Sequence, residues 1–177
     1  SKFAKGNRWA FFPAVSVGWR IDKENFMQNV RAVDVLKLRG SVGEMGNQAI
    51  GNYEYLMAVL ANKSYNYSFG DVLSGGAAIK DFVDENISWE TTRTYNLGLD
   101  FEAFDHRLLF SVDLYKKRTE GILRDVKIPA QIGNLNGPKQ NIGVVANDGV
   151  ELNLQWRSAV KNFHYSLGGN FCYNKNI

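Results

Sequence analysis

The chain is poor in the residues and segments that usually support redox chemistry, metal binding or helical membrane insertion. It has one cysteine, Cys172, which excludes an internal disulfide, and its two histidines have no second ligand at metal-binding spacing. No run of about 18 apolar residues occurs, which excludes a transmembrane helix but not the weaker pattern of barrel strands. We therefore expect no cofactor and no metal site.

The charge of the chain is nearly balanced, with 21 Lys and Arg against 18 Asp and Glu and a net charge of +3. No basic stripe of the kind that follows phosphates is present, so nucleic acid is not an expected partner. Its 177 residues are enough for one ordinary domain with a core. The chain opens at Ser1 without an initiator Met, and we expect it to be a piece of a longer protein.

Two alternating segments meet across a short polar turn between Trp89 and Leu123, with the turn predicted at 102–107. Strand side chains alternate faces with period two, so each segment predicts a strand with one apolar and one mostly polar face. The first alternates Tyr95, Leu97, Leu99 and Phe101 with Thr94, Asn96, Gly98 and Asp100; the second alternates Leu108, Phe110, Val112 and Leu114 with Ser111, Asp113, Tyr115 and Lys117.

The same period predicts four further strands. They cover 12–20, about 35–42, 150–157 and 163–173, and a turn at 158–162 joins the last two. Between the first two, Asp22 is expected to cap a short helix that runs through Val30. The Gly- and Asn-rich stretch at 43–52 predicts that the chain leaves regular structure there.

The number of strands stays open at six or eight. Alternation also occurs at 53–59 and at 65–69, with 61–64 between them. These segments are shorter than the roughly 9 to 11 residues that a tilted membrane strand needs. A hairpin inside a long loop is therefore favoured over two spanning strands.

The connections between the predicted strands alternate between short and long. Outer-membrane barrels have short periplasmic turns at one rim and long extracellular loops at the other, whereas a soluble sandwich follows no such rule. Aromatic residues also gather at the segment ends, as expected for girdles at the two membrane interfaces. The apolar rows contain no charge, but the outer face of a soluble sheet would look the same, so the rows alone leave both alternatives open.

No residue pattern predicts catalysis. Asp113 and Glu151 are isolated carboxylates on polar rows, where hydration or ion pairing is the usual role, and His106 and His164 lie in a turn and on a polar row. Aromatic side chains flank the candidate external loops, where rings could stack on a sugar or peptide, although packing is the more common role. These aromatics are Tyr53, Tyr55, Tyr65, Tyr67 and Trp89. We assign no substrate-binding residue from the sequence.

Several segments, in this order along the chain, resemble the barrel of the SusC/RagA-type TonB-dependent outer-membrane transporters of Bacteroidetes. They are FAKGNRWAFFPAVSVGWRI, LKLRGSVGEMGNQAIGNY, NISWETTRTYNLGLDF, LLFSVDLYKKRTEGIL and NDGVELNLQW. The resemblance implies an all-β fold in which the chain, residues 1–177, is six to eight antiparallel strands from a larger, 22-stranded barrel. No segment resembles the plug domain or the chain ends of that family.

The resemblance also implies a function. The chain would form barrel wall and external loops of an outer-membrane, TonB-energised importer of glycan or peptide oligomers, and would not be an enzyme. The implied partners are a SusD-type surface lipoprotein, the TonB complex acting through the plug, the substrate, and outer-membrane lipid. Two alternatives are a soluble or surface-attached β-sheet module that binds a carbohydrate or peptide, and an outer-membrane enzyme barrel.

Overall fold

The computed structural model describes residues 1–61, 66–79, 81–132 and 136–177 and consists of strands, turns and short 3-10 helices. In the described residues, no helix has the length and apolar character to cross a bilayer. In chain order the strands are β1 (Ala14–Arg20), β2 (Val33–Asn47), β3 (Val59–Ala61), β4 (Tyr67–Phe69), β5 (Val72–Ser74), β6 (Ala77–Ile79), β7 (Glu90–Ala103), β8 (Leu108–Glu120), β9 (Leu123–Asp125), β10 (Lys139–Asn141), β11 (Val144–Val160) and β12 (Phe163–Asn176).

Six long strands form one open antiparallel sheet in the order β1-β2-β7-β8-β11-β12. The short strands pair only among themselves, β3 with β6, β4 with β5, and β9 with β10. This resolves the strand count at six within the described residues. Neither segment spans with the sheet, but the hairpin expected between them is wrong: Tyr67–Phe69 pairs with β5 and Val59 with β6, and 53–56 lies in a turn and a bend. The predicted linker at 61–64 and Tyr65 fall largely outside the described residues, which resume at residue 66.

Strand register confirms the predicted alternation. In the first hairpin Val15, Val17 and Trp19 lie opposite Val42, Gly40 and Leu38, so the two apolar rows share a face. In the last hairpin the same holds for Leu152 opposite Phe171, Trp156 opposite Leu167 and Val150 opposite Tyr173. Polar partners such as Asn153 and Asn170 face each other on the opposite side. A one-residue slip would mix the two faces.

The apolar face of the sheet is widely exposed. Val17 is 71% exposed and Leu167 67%, which is far more apolar surface than a water-soluble sheet leaves uncovered. Apart from β1, which begins at Ala14 rather than at 12, the strands extend further than the sequence pattern predicted, and several of their ends carry charge on this same row. Arg93 donates to Glu44 there, and Lys116 Nζ lies 3.8 Å from Asp148 Oδ2. Charged residues thus mark the border of the apolar face at the ends where the strands lead into the long connections.

Two turn predictions need correction. The turn predicted at 158–162 is only Lys161 and Asn162, because cross-strand pairing continues to Val160 opposite Phe163. The turn after β7 falls at 104–107, where Phe104, Asp105 and His106 all have φ between 55 and 61°. Three successive left-handed residues reverse the chain in few residues without a glycine.

The helix predicted from Asp22 through Val30 is wrong. The segment forms two 3-10 helices, Ile21–Lys23 and Asn25–Met27, and no side chain caps the first. Asp22 instead accepts hydrogen bonds from Arg20 and, at 3.1 Å, from the backbone N–H of Leu36. The arginine bond holds the pKa of Asp22 well below its usual range. Tertiary hydrogen bonds have replaced the local cap.

The predicted loop at 43–52 begins too early, because β2 continues to Asn47. Gly43 pairs with Ala14 and the N–H of Glu44 donates to the carbonyl of Pro13 at 2.9 Å. Neighbouring strands on both sides therefore outweigh the low strand propensity of glycine.

The chain divides into two compact units. The sheet unit comprises Phe12–Met45, Thr92–Thr119 and Val145–Ile177; the loop unit comprises Ser1–Phe11, Gly46–Thr91 and Glu120–Val144. The loop unit has its own core, in which Phe3 and Ile87 are 1% exposed and Ile50 is 7% exposed. The long connections are therefore a folded body with a core, rather than separate extended loops.

Candidate functional site

The polar face of the sheet unit is organised by Arg39. Its guanidinium donates two hydrogen bonds to Asp100, at 2.8 and 2.9 Å, and one to Asp113 at 3.0 Å. The three residues lie on β2, β7 and β8, so one arginine links three adjacent strands. Gly98 leaves room for this cluster, since a Cβ there would lie 2.6 Å from Asp113 Oδ1.

Asp113 and Glu151, the carboxylates considered as a catalytic pair, lie on the neighbouring strands β8 and β11. Asp113 is engaged by Arg39 in an ion pair at 3.0 Å. Glu151 lies opposite Cys172 on the last hairpin. On the polar face, Asp113 is therefore part of an ion cluster that links neighbouring strands.

The two histidines also have separate environments. His106 Nδ1 lies 2.6 Å from Glu102 Oε2, and this hydrogen bond raises the pKa of His106. His164 pairs with Ala159 on the last hairpin. Among the described residues, no group of three or more His, Cys, Asp or Glu side chains has the arrangement of a metal site.

The loop unit contains a cavity of about 1000 Å³. Four chain segments supply its walls: 52–58, 81–83, 125–128 and 136–139. The segments are tied together at the backbone, where Phe82 N–H donates to Asn136 O at 3.1 Å and Val126 N–H to Pro138 O at 2.9 Å. Gly137 permits this close packing, since a Cβ on it would lie 1.6 Å from the carbonyl oxygen of Val126.

Charged side chains of both signs line the cavity. Lys139 Nζ lies 3.0 Å from Asp125 Oδ1 and 3.7 Å from Glu54 Oε2, and these carboxylates raise the pKa of Lys139. Glu54 in turn accepts the N–H of Gly51 at 2.9 Å. Asp81 accepts a hydrogen bond from the side-chain amide of Asn136 at 2.6 Å. The walls are thus held together by ion pairs and hydrogen bonds before any ligand enters.

The candidate stacking aromatics separate into two groups. Trp89 packs on Phe3 with ring centroids 5.2 Å apart and donates its indole N–H to Asn7 O, and Tyr55 packs on the same core. Trp89 and Tyr55 therefore pack in the protein and are not free to stack on a ligand. Tyr53 and Tyr67 are 56% and 50% exposed, and Tyr53 lines the cavity. Tyr65 lies outside the described residues.

Sequence reasoning missed the cavity and its charged walls. Glu54, Asp81, Asp125, Lys127 and Lys139 are spread over a long stretch of chain with no spacing motif. Tyr53 was the one wall residue that the sequence singled out. A clue was present in the two glycines and two prolines at 129–138, which are typical of a connection with defined turns.

The whole chain, residues 1–177, matches the family model described as "TonB dependent receptor-like, beta-barrel". The chain belongs to the TonB-dependent receptor β-barrel family. It is 38% identical over 179 residues to TonB-dependent receptor SusC of Bacteroides thetaiotaomicron, covering 99% of this chain and 18% of that relative. It is 37% identical to TonB-dependent receptor P3 of Formosa agariphila, covering 99% of this chain and 17% of that relative.

Solved structures of TonB-dependent receptors superpose closely on the chain. A structure of the RagAB peptide transporter matches with a TM-score of 0.86 at 32% identity, covering 99% of this chain and 19% of that chain. A structure of the RagAB peptide importer in the "closed-closed" state matches with a TM-score of 0.86 at 33% identity. The chain therefore spans less than a fifth of the length of these relatives.

Family membership decides between the alternatives left by the sequence. The chain is an antiparallel part of a TonB-dependent β-barrel domain, and an open sheet is what part of a barrel presents. TonB-dependent receptors are outer-membrane proteins and are not enzymes. The soluble-module and enzyme-barrel hypotheses are therefore set aside.

Proposed function

We propose that the chain forms part of the wall and the external loops of a TonB-energised importer that carries nutrient oligomers, glycans or peptides, across the outer membrane. The observation that carries the proposal is the asymmetry of the sheet. One face is apolar and exposed, the other holds the Arg39 ion cluster, and the connections alternate between short turns and the long segments of the loop unit. This combination suits a wall with lipid on one side and an aqueous lumen on the other.

The remaining parts of the importer would come from beyond these 177 residues. We propose that further strands close the barrel and that a plug domain fills it, since the relatives are more than five times as long as this chain. The Arg39, Asp100 and Asp113 cluster lies on the face that would meet the plug. TonB would act through the plug, and a surface lipoprotein of the SusD type would cover the outer mouth.

Growth of the native bacterium tests the proposal. The gene for the full-length protein is deleted, and growth is measured on a mixture of oligosaccharides and on a mixture of oligopeptides, each as the growth-limiting nutrient. We expect growth to fail on one mixture and to return when the gene is restored. The restored gene should have no effect in a strain that lacks TonB.

Two results would contradict the proposal. If the deletion leaves growth unchanged on both mixtures, the proposed import function is refuted. Growth that is restored equally well without TonB would indicate a passive channel.

A separate purification of the tagged full-length protein tests the lipoprotein partner, which should co-purify in about equal amount.

A further inference from the structure

The cavity of the loop unit has the size and the preformed walls of a ligand site. Its volume of about 1000 Å³ is at the upper end of the range for small-molecule pockets, roughly 300 to 1000 Å³. Tyr55, between the wall residues Glu54 and Leu56, packs on the buried core, and hydrogen bonds and ion pairs join the wall segments, so the site does not have to form on binding. A preformed site avoids the cost of ordering loops when the ligand enters.

Two charged groups in the cavity walls, Lys127 and Asp81, have no ion-pair partner among the described residues. Lys127 is exposed and has no ion-pair or hydrogen-bond partner among the described residues. Asp81 is bonded to the amide of Asn136, which is neutral, so the carboxylate keeps its charge. The other charged wall residues form one ion-pair cluster in which Lys139 lies between Asp125 and Glu54, with a net charge of −1. Within its described walls the cavity therefore offers one cation and one anion, Lys127 and Asp81, that lie outside this cluster.

Apolar side chains lie between the charged groups. Leu56 is 53% exposed and Phe82 39% exposed, and both line the cavity together with Ile128. Exposed apolar side chains inside a ligand-sized cavity gain free energy when an apolar group of a ligand covers them. A ligand that fits would therefore carry apolar groups as well as charges.

The backbone at Tyr53 gives an independent indication of function. Tyr53 has φ of 63°, which a non-glycine residue rarely adopts, and its N–H donates to Ser1 O at 3.0 Å. Backbone strain of this kind concentrates at ligand sites, where the surrounding structure holds it. Here the strain presents an exposed ring at the cavity wall.

We propose that this cavity binds oligopeptides with free termini, with Lys127 receiving the terminal carboxylate and Asp81 the terminal ammonium. Leu56, Phe82 and the Tyr53 ring would cover apolar side chains of the peptide. A neutral oligosaccharide would offer hydroxyl groups to Lys127 and Asp81, whereas the termini of a peptide supply the opposite charges, and charge-assisted hydrogen bonds are roughly twice as strong as neutral ones. The inference rests on the proposed import function and specifies its substrate class.

Binding of a defined synthetic pool to the purified full-length protein tests the inference. The pool contains pentapeptides with free termini, the same peptides amidated at the carboxyl end, the same peptides acetylated at the amino end, and maltohexaose. Bound molecules are recovered and quantified by mass spectrometry. We expect free-terminus peptides to be enriched about 10-fold over each blocked form, because a blocked terminus loses its charge-assisted hydrogen bond to the cavity wall.

Three variants distinguish the proposed contact at Lys127 from the proposed contact at Asp81. In Lys127→Gln the preference over amidated peptides should fall below about 2-fold, while the preference over acetylated peptides stays. Asp81→Asn should show the reverse, and the matched control Lys5→Gln, an exposed lysine of the loop unit outside the cavity, should behave as the unmodified protein. A heat-dependent gel shift checks that each variant is folded.

Several results would overturn the inference. They are preferential binding of maltohexaose, binding of no peptide, or peptide selectivity that both cavity variants retain in full. If both cavity variants retain the peptide selectivity, the protein binds peptides at a site other than this cavity. Failure of the import function itself is seen separately, as growth on oligopeptides and oligosaccharides that does not depend on the gene or on TonB.

Discussion

The substitution Leu97→Arg tests which face of the sheet meets lipid. Leu97 lies in the middle of the apolar row of β7, and its side chain is 49% exposed in the structure. Arg93 lies on the same row, four residues or about 13 Å nearer the long connections, at roughly 3.3 Å per residue. In an apolar band about 25 Å tall, this separation puts Leu97 near the middle of the bilayer.

The expected cost of Leu97→Arg follows from that depth. An arginine facing lipid at the bilayer midplane costs about 2 to 4 kcal/mol, whereas one near the interface costs about 0 to 1 kcal/mol. Since about 1.4 kcal/mol corresponds to a tenfold change in an equilibrium constant, the folding equilibrium in lipid should fall roughly 25- to 700-fold. Arg93, paired with Glu44 at the border, already shows where a charge is tolerated.

The assay is a urea titration of full-length protein folding into lipid vesicles, followed by the heat-dependent gel shift. Tyr95→Arg, between Leu97 and the border, should have an intermediate effect. Asn153→Arg, on the polar face of β11, is the matched control and should fold nearly as well as the unmodified protein. If Leu97→Arg and Asn153→Arg shift the midpoint equally, the apolar face does not meet lipid and the assignment of faces is refuted.

Two further predictions concern the loop unit and the turn after β7. Phe3→Ala removes a ring that is 1% exposed and should destabilise the loop unit by about 3 to 5 kcal/mol. Hydrogen exchange at 46–91 should then be faster, whereas the control Phe11→Ala, at a side chain that is 86% exposed, should have little effect. Equal exchange rates in the two variants would contradict the proposed core. The hydrogen bond to Glu102 raises the pKa of His106. The contribution of this bond to the stability of the folded protein is therefore complete below about pH 6.5 and is lost as the pH rises through the raised pKa. An NMR titration should show this raised pKa, and Glu102→Gln should lower it; an unchanged titration in that variant would refute the pairing.

The spanning strands were predictable because their pattern is local and repeated. Alternation at Tyr95, Leu97 and Leu99 requires only that strand side chains point to opposite faces, and the register of the flanking hairpins agrees with it. The ends of the strands were not predictable. Gly43 lies inside β2 because both neighbouring strands pair there, and the turn at Lys161 and Asn162 is shorter than its polar composition suggests.

The errors arose where distant residues outweigh local preference. Asp22 has the sequence of a helix cap, but Arg20 and the backbone of Leu36 compete for its carboxylate, and Leu36 reaches it only when β1 and β2 are paired. Trp89 has the composition of a stacking residue near a loop, but Phe3 and Asn7, more than 80 positions away, bury it. No short window of sequence contains Trp89 together with these partners.

The sequence by itself determined the all-β class, the two-faced strands and the family, because each depends on residue order within short segments. Only the tertiary structure decided that the long connections form a body with a core, and that Glu54, Asp81, Lys127 and Lys139 share one cavity. The physical reason is that strand alternation has a fixed period of two residues, whereas a cavity between loops has none. Its walls are set by hydrogen bonds, ion pairs and close packing, as at Gly137, between segments that the sequence keeps far apart.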